Sequence, residues 1–152
     1  MSIEYNFEME MIIPAKLDKV FSFFSAAENL QILTPPWLHF LILTPTPLKI
    51  KKGRIIDYKL RLYGWPFRWQ TEITQWDPPH QFIDEQVRGP YRKWRHLHYF
   101  ELRGNQTYMR DLVTYEIPVF SNFVNKLFVR KNVEHIFNYR RKRINEIFKR
   151  SS

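Results

Sequence analysis

Apolar and polar residues alternate along most of the chain, in runs that glycine and proline separate. The runs are rich in Tyr, Trp, Phe, Ile, Val and Thr and last about eight to twelve residues, which is typical of strands joined as hairpins. Turns are expected where the runs stop, at Gly53, Gly64, Gly89 and Gly104 and at residues 77–80. The pattern predicts seven strands, over residues 3–13, 37–43, 54–63, 67–76, 81–88, 92–103 and 106–117.

Two segments have helical periodicity instead. After Pro14, apolar residues recur at helical spacing and predict a short helix, with Leu17, Val20, Phe21 and Phe24 on its inner face. Asn29 is a candidate cap for a second short helix that ends before Pro35. Residues 121–149 contain no glycine or proline and keep their apolar residues on one stripe, which predicts a long amphipathic helix. Such a helix would be about 40 Å long.

The order of these elements predicts an α+β fold. A seven-stranded, curved antiparallel sheet would wrap around the long C-terminal helix, and two short helices would follow the first strand. No internal repeat, linker or low-complexity segment interrupts the pattern, so residues 1–152 are expected to form a single domain.

Composition excludes several kinds of chemistry. The chain has no cysteine, which excludes disulfides, thiolate nucleophiles and cysteine-based zinc sites. The six serines lie away from the inner faces of the predicted strands, so covalent catalysis has no candidate nucleophile. No glycine-rich phosphate loop or dinucleotide fingerprint occurs, and no cofactor is expected.

The N-terminal segment is acidic and lacks the features of a secretory signal. No apolar run is long enough to predict a membrane-spanning helix. A cytoplasmic protein is therefore the expectation. The net charge of +9 is concentrated in residues 121–152, which carry nine Lys or Arg against two Asp or Glu.

Strand alternation predicts which side chains face the interior between sheet and helix. The inner faces combine large aromatic rings with more polar groups than an apolar core would hold. The residues predicted to line a cavity there are Tyr58, Trp69, Thr71, Asp84, Gln86, Trp94, His96, His98, Asp111 and Tyr115. By the same alternation Trp76 belongs to the outer face.

Turn lengths predict the register of these strands. A two-residue turn at Gly104 places His98 opposite Asp111, and a three-residue loop over residues 89–91 places Asp84 opposite His96. We therefore predict two Asp–His pairs, Asp84 with His96 and Asp111 with His98.

The Asp–His pairs have two interpretations, and the sequence favours neither. They are either a satisfied buried network that fixes the register or groups that contact a ligand. A histidine held by a carboxylate also suits general acid–base catalysis. His96 and His98 have the spacing of a two-histidine metal site, but the neighbouring carboxylates serve equally well as their hydrogen-bond partners, so no metal is predicted.

Several strings of residues resemble the START-like (SRPBCC) superfamily of polyketide cyclases and lipid-transport proteins. They are Glu28–Leu30, Leu33–Pro35, Gly64–Trp69, Phe82–Tyr91 and Trp94–Phe100. The most specific are Asp-x-Gln-x-x-Gly-Pro-Tyr from Asp84 and Trp-x-His-x-His-x-Phe from Trp94. The resemblance extends over essentially the whole chain and implies a helix-grip fold with a cavity between sheet and helix.

The resemblance implies a protein that holds a hydrophobic or amphipathic small molecule, such as a lipid, an isoprenoid or a polyketide-like compound. A cyclase or dehydratase that uses a His–Asp pair is one alternative. Another is contact between the basic C-terminal helix, with residues 140–143 at its centre, and an anionic lipid surface or RNA. Some START-like proteins associate with ribosomes, which keeps the RNA alternative open.

Overall fold

The computed structural model describes residues 3–118 and 125–149 of the chain. Within these residues, seven strands form one antiparallel sheet in the order β1-β7-β6-β5-β4-β3-β2. The strands are β1 Tyr5–Ile13, β2 Leu41–Ile42, β3 Ile55–Leu62, β4 Trp65–Asp77, β5 Gln81–Arg88, β6 Lys93–Arg103 and β7 Gln106–Glu116. The helices are α1 Leu17–Phe24, α2 Glu28–Leu33 and α3 Arg130–Ile147. This architecture confirms the predicted helix-grip fold.

Helix α3 lies against the inner face of the sheet through one apolar stripe. Its buried residues are Val133, Phe137, Arg140 and Ile144, spaced four, three and four residues apart, so they share one side of the helix. The ring of Phe137 lies 5.1 Å from that of Phe7 on β1. The stripe therefore brings one cation, Arg140, into the interior.

Helix α1 covers the sheet near the C-terminal end of β6. The ring centroid of Phe21 lies 6.0 Å from that of Phe82 and 5.6 Å from that of Phe100. The ring centroid of Phe24 lies 5.1 Å from that of Phe100. Each fully buried Phe of this kind contributes roughly 1.5–3 kcal/mol through the apolar surface that it removes from water. The described part of the chain contains no helix that is both long and apolar enough to span a membrane.

The predicted outward orientation of Trp76 is wrong. A β-bulge shifts the register between Ile73 and Gln75, so that Trp76 pairs with Phe82 of β5. Because one extra residue in a strand reverses the side-chain alternation beyond it, Trp76 turns to the inner face. Its ring lies 5.5 Å from Phe82 and 5.2 Å from Phe21.

The strand predicted over residues 37–43 is much shorter in the structure. Pro36–Leu38 form a 3-10 turn, and His39 adopts a left-handed conformation with φ of 49°. An extended strand cannot pass through such a residue, so only Leu41–Ile42 pair with β3. The C-terminal helix was predicted from residue 121, but residues 119–124 lie outside the described ranges. Its first described turn, Asn125–Val129, is π-helical and continues into α3.

Candidate functional site

A cavity of about 150 Å³ lies between the inner face of the sheet and helices α2 and α3. Most of its wall is apolar, and the aliphatic and aromatic side chains that line it include Leu33, Phe40, Ile56, Leu60, Ile73 and Phe137. Such a wall offers dispersion contacts and area removed from water, but no preferred orientation for a bound molecule.

One carboxylate, two imidazoles and one guanidinium interrupt this apolar lining. Asp84 on β5, His96 and His98 on β6 and Arg140 on α3 all line the cavity. Asp84 pairs with His96, and His98 pairs with Asp111 on β7, which confirms the predicted register. Adjacent strands and one helix turn therefore bring together a cluster of five polar residues, which we call the polar cluster.

The predicted Asp–His pairs are direct neighbours across the strands, but they are not hydrogen-bonded to each other. The short hydrogen bonds run diagonally: His98 Nε2 lies 2.6 Å from Asp84 Oδ2, and His96 Nε2 lies 2.7 Å from Asp111 Oδ1. The nitrogens facing the directly opposite carboxylates are 3.8 and 3.7 Å away, beyond hydrogen-bond distance. The two imidazoles stack 3.6 Å apart, and from that position each Nε2 reaches the diagonal neighbour.

Arg140 anchors the cluster from the helix. Its Nε donates to Asp111 Oδ2 at 2.9 Å and its Nη2 donates to Asp111 Oδ1 at 3.2 Å, a bidentate contact. Asp111 is completely buried and Arg140 is 4% exposed. Each charge would be strongly unfavourable at this depth without the other.

The same guanidinium sets the tautomer of His98. Arg140 Nη2 lies 3.4 Å from His98 Nδ1, and a guanidinium can only donate. Nδ1 is therefore the unprotonated nitrogen, and Nε2 carries the proton that is donated to Asp84. His98 is thus held as a neutral imidazole whose ring also stacks on Phe82 at 4.1 Å.

The titration of the cluster follows from burial and neighbouring charge. Burial lowers the pKa of His98 to about 4, and the neighbouring His96 contributes to this lowering. The hydrogen bond to Asp84 acts in the opposite direction and raises the pKa, but it does not compensate for burial. Burial opposes ionisation of Asp84, but the hydrogen bond from His98 and the electrostatic contributions of both histidines and Arg140 together outweigh it and lower the pKa of that carboxyl. Burial is likewise outweighed at Asp111, here by the charge of Arg140 together with the hydrogen bond from His96 and the electrostatic contributions of both histidines, and the pKa of Asp111 falls far below the usual range. Both carboxyls are therefore ionised near neutral pH, and His98 is neutral.

Arg140 was missed as an individual site residue, although the sequence carried a signal for it. Four consecutive cations at 140–143 cover every side of a helix, so one of them has to face the sheet. Arg140 continues the apolar stripe of Val133, Phe137 and Ile144, and this spacing identifies it as the inward one. A cation on an apolar stripe indicates a buried partner of opposite charge.

The structure places the predicted cavity residues in two groups. Seven of them line the cavity: Tyr58, Trp69, Thr71, Asp84, Trp94, His96 and His98. The other three bind elsewhere. The Gln86 side chain hydrogen-bonds both main-chain groups of Tyr91 in the β5–β6 loop. Asp111 lies behind the histidines and hydrogen-bonds His96. The Tyr115 hydroxyl donates to Asn125 Oδ1 at 2.7 Å. Tyr91, which the sequence did not single out, lines the cavity.

A divalent metal ion has one candidate set of ligands among the described residues. Asp84, His96 and His98 each offer an atom, and these atoms lie within 4.8 Å of one another. Coordination would require His98 Nε2 to lose the proton that it donates to Asp84, and the guanidinium of Arg140 opposes a second cation beside it. The absence of a metal stays a prediction.

Known proteins share the architecture of this chain rather than its sequence. No family model and no curated protein matches the sequence. Among solved structures, norcoclaurine synthase from Thalictrum flavum, in complex with dopamine and hydroxybenzaldehyde, matches with a TM-score of 0.69 and 14% identity. This alignment covers 99% of the present chain and 90% of the synthase chain.

Two further structures have the same architecture. The major latex-like protein 151 of Panax ginseng matches with a TM-score of 0.70 and 11% identity, over 95% of this chain and 97% of its own. The protein TTHA0849 from Thermus thermophilus matches with a TM-score of 0.63 and 21% identity, over 94% of this chain and 99% of its own. At these identities the likeness concerns the fold. The chain therefore shares the helix-grip fold of these proteins.

Proposed function

We propose that this protein binds a small hydrophobic or amphipathic molecule in its cavity and acts as a ligand-binding protein of the cytoplasm. The observation that carries the proposal is an apolar cavity with one ordered polar wall. In this proposal Tyr58, Trp69 and Trp94 supply contact area, while Asp84 and the two histidines orient the polar end of the ligand.

Cavity size selects among the ligand classes that the sequence suggested. A cavity of about 150 Å³ lined by Leu, Ile and Phe holds one benzene ring in an engineered protein. A ring-sized, polyketide-like molecule therefore suits the cavity as it stands. A whole lipid or isoprenoid chain would require its walls to move apart. The Thalictrum synthase was solved in complex with dopamine and hydroxybenzaldehyde, which supports the proposal of a small, ring-sized ligand.

Filling the cavity should abolish binding without unfolding the protein. Leu60 on β3 lines the cavity, and Leu60→Trp would place an indole ring in that space. We expect wild-type protein to bind toluene, detected by saturation-transfer NMR, and Leu60→Trp to give no signal. The matched control is Leu102→Trp, at a side chain that is 51% exposed and outside the cavity lining. Equal signals from the wild type and Leu60→Trp would contradict the proposal.

A cyclase or dehydratase is a second candidate function. It is favoured by the 2.6 Å hydrogen bond that couples His98 to Asp84 at the cavity wall, since a carboxylate held in this way suits the acceptance of a proton from a bound molecule. Under this hypothesis, replacing either cavity histidine with glutamine would stop turnover while the protein stays folded. If the substitution unfolds the protein instead, the network is structural.

The basic C-terminal helix retains a proposed role in contacting RNA or an anionic lipid surface. The burial of Arg140 reduces the cations that such a surface could use. Arg143 hydrogen-bonds Glu146 at 2.7 Å, which leaves Arg141 and Lys142 as the better candidates. Attraction of this kind falls steeply as salt is added, so binding that is insensitive to salt would remove the hypothesis.

A further inference from the structure

The polar cluster leaves acceptors open toward the cavity. Asp84 accepts from His98 through Oδ2, and the nearest hydroxyl to Oδ1 is Thr71 Oγ1 at 3.5 Å, which donates to the Glu85 carbonyl at 2.9 Å. His96 donates its Nε2 proton to Asp111, and its Nδ1 has no hydrogen-bond partner among the described residues. Asp84 Oδ2 lies 3.8 Å from that Nδ1. Asp84 Oδ1 and His96 Nδ1 are therefore available to accept hydrogen bonds from a bound molecule.

A second wall of the cavity carries an unused donor. Trp69 on β4 lines the cavity and is 6% exposed, and its indole nitrogen is buried with no hydrogen-bond partner among the described residues. A buried N–H without a partner is uncommon in a folded protein, because it loses water and gains nothing in exchange. The nitrogen has almost no accessible surface, so an acceptor on a cavity ligand would satisfy it once the side chains around it shift.

The charge of the cluster excludes one class of ligand. The cluster contains two ionised carboxylates and one guanidinium. Both oxygens of Asp111 already accept hydrogen bonds from that guanidinium. Among the described residues that line the cavity, no other Lys or Arg lies beside Asp84 to receive a carboxylate or phosphate of a ligand. Burial strengthens the repulsion between Asp84 and such a group, since the interior screens charges poorly.

The donor and the acceptors lie at different positions along the sheet. Asp84 pairs with Ile73 of β4, and Trp69 lies four residues before Ile73 on the same strand. That spacing corresponds to about 13 Å along the strand. This backbone spacing favours a ligand whose complementary groups lie at opposite ends of the molecule.

From these observations we propose the chemical class of the ligand. It is an uncharged or cationic molecule of about one-ring size that donates a hydrogen bond to Asp84, beside His96, at one end and accepts one from Trp69 at the other. This inference rests on the proposed function and goes beyond it, because the cavity could bind small molecules without preferring this chemical class.

Four para-substituted aromatic probes test the inference by isothermal titration calorimetry, at a pH where the phenol is uncharged. 4-Hydroxyacetophenone carries both the donor and the acceptor. 4-Methoxyacetophenone lacks the donor, 4-ethylphenol lacks the carbonyl acceptor, and 4-acetylbenzoate has a carboxylate in place of the donor. We expect the first probe to bind about tenfold more tightly than the second or third, as one hydrogen bond each implies, and the carboxylate not to bind.

Two variants assign each preference to its residue. Trp69→Phe should bind 4-hydroxyacetophenone and 4-ethylphenol equally well, but it should still bind 4-hydroxyacetophenone more tightly than 4-methoxyacetophenone. Asp84→Asn should do the reverse and admit 4-acetylbenzoate, because the amide removes the negative charge and turns a donor toward the cavity. Trp76→Phe is the control, since Trp76 lies outside the cavity lining and should keep both preferences.

The wild-type protein alone decides the inference if a variant fails to fold. Equal affinity for all four probes would overturn the proposed ligand class while the binding function stands. Tighter binding of the carboxylate would also overturn it. If none of the probes binds and toluene gives no signal either, the proposed function fails together with the inference.

Discussion

Replacing Arg140 with methionine is expected to lower the free energy of unfolding by about 3–5 kcal/mol, the range for breaking a buried ion pair. The side chain is 4% exposed, and it makes a bidentate contact with a carboxylate that is completely buried. Without the guanidinium, Asp111 keeps only the hydrogen bond from His96 and has no cation to offset its loss of water. Urea denaturation measured by circular dichroism gives the difference.

Two further variants separate this effect from a general loss of charge. Lys142→Met removes a cation from the exposed side of the same helix, and we expect a change within about 0.5 kcal/mol. The double variant Asp111→Asn with Arg140→Met should be more stable than Arg140→Met alone, because it no longer buries an unpaired charge. If Arg140→Met lowered the free energy of unfolding by less than about 1 kcal/mol, the result would contradict a large contribution of this ion pair to stability.

Acid is expected to destabilise the protein in a pH range that His98 sets. Its pKa is lowered by burial to about 4 in the folded protein, whereas an exposed histidine titrates near 6.5. The unfolded chain therefore binds more protons between these values, and stability falls as the pH decreases through them. We expect a loss of about 2–3 kcal/mol from His98 between about pH 7 and pH 4.5.

The carboxylates act at lower pH. The pKa values of Asp84 and Asp111 are lowered in the fold, so their contribution is present above the ordinary carboxyl range and is lost only as the pH falls below it. His98→Gln should flatten the pH dependence of the free energy of unfolding between about pH 7 and pH 4.5. His80→Gln, at an exposed histidine, should leave the slope unchanged. An identical slope in His98→Gln and the wild type would contradict the account of a neutral, buried imidazole.

The sequence predicted the register around the site because local features determine it. Short turns at Gly104 and at residues 89–91 fix which residues face each other, and the two-residue alternation then fixes the faces. The diagonal hydrogen bonds of His96 and His98 depend instead on side-chain torsions and ring stacking. No periodicity in the sequence encodes those torsions.

Other features depended on long-range or irregular geometry. The bulge before Gln75 reversed the orientation of Trp76, and nothing in the sequence around it distinguishes a bulged strand from a regular one. Arg140 meets Asp111 across the interior between α3 and β7, so the partner of the buried cation could be assigned only after the helix was placed on the sheet. The cavity volume, which favours a ring-sized ligand, likewise depends on how the helices pack.

Native mass spectrometry of the protein, purified without detergent or organic solvent, tests most directly whether the cavity holds a small molecule. The account predicts a second series of peaks in the wild type, heavier by the mass of one small molecule, and its disappearance in Leu60→Trp. A wild-type spectrum that shows only the mass of the chain, or an added mass that persists when the cavity is filled, would contradict it.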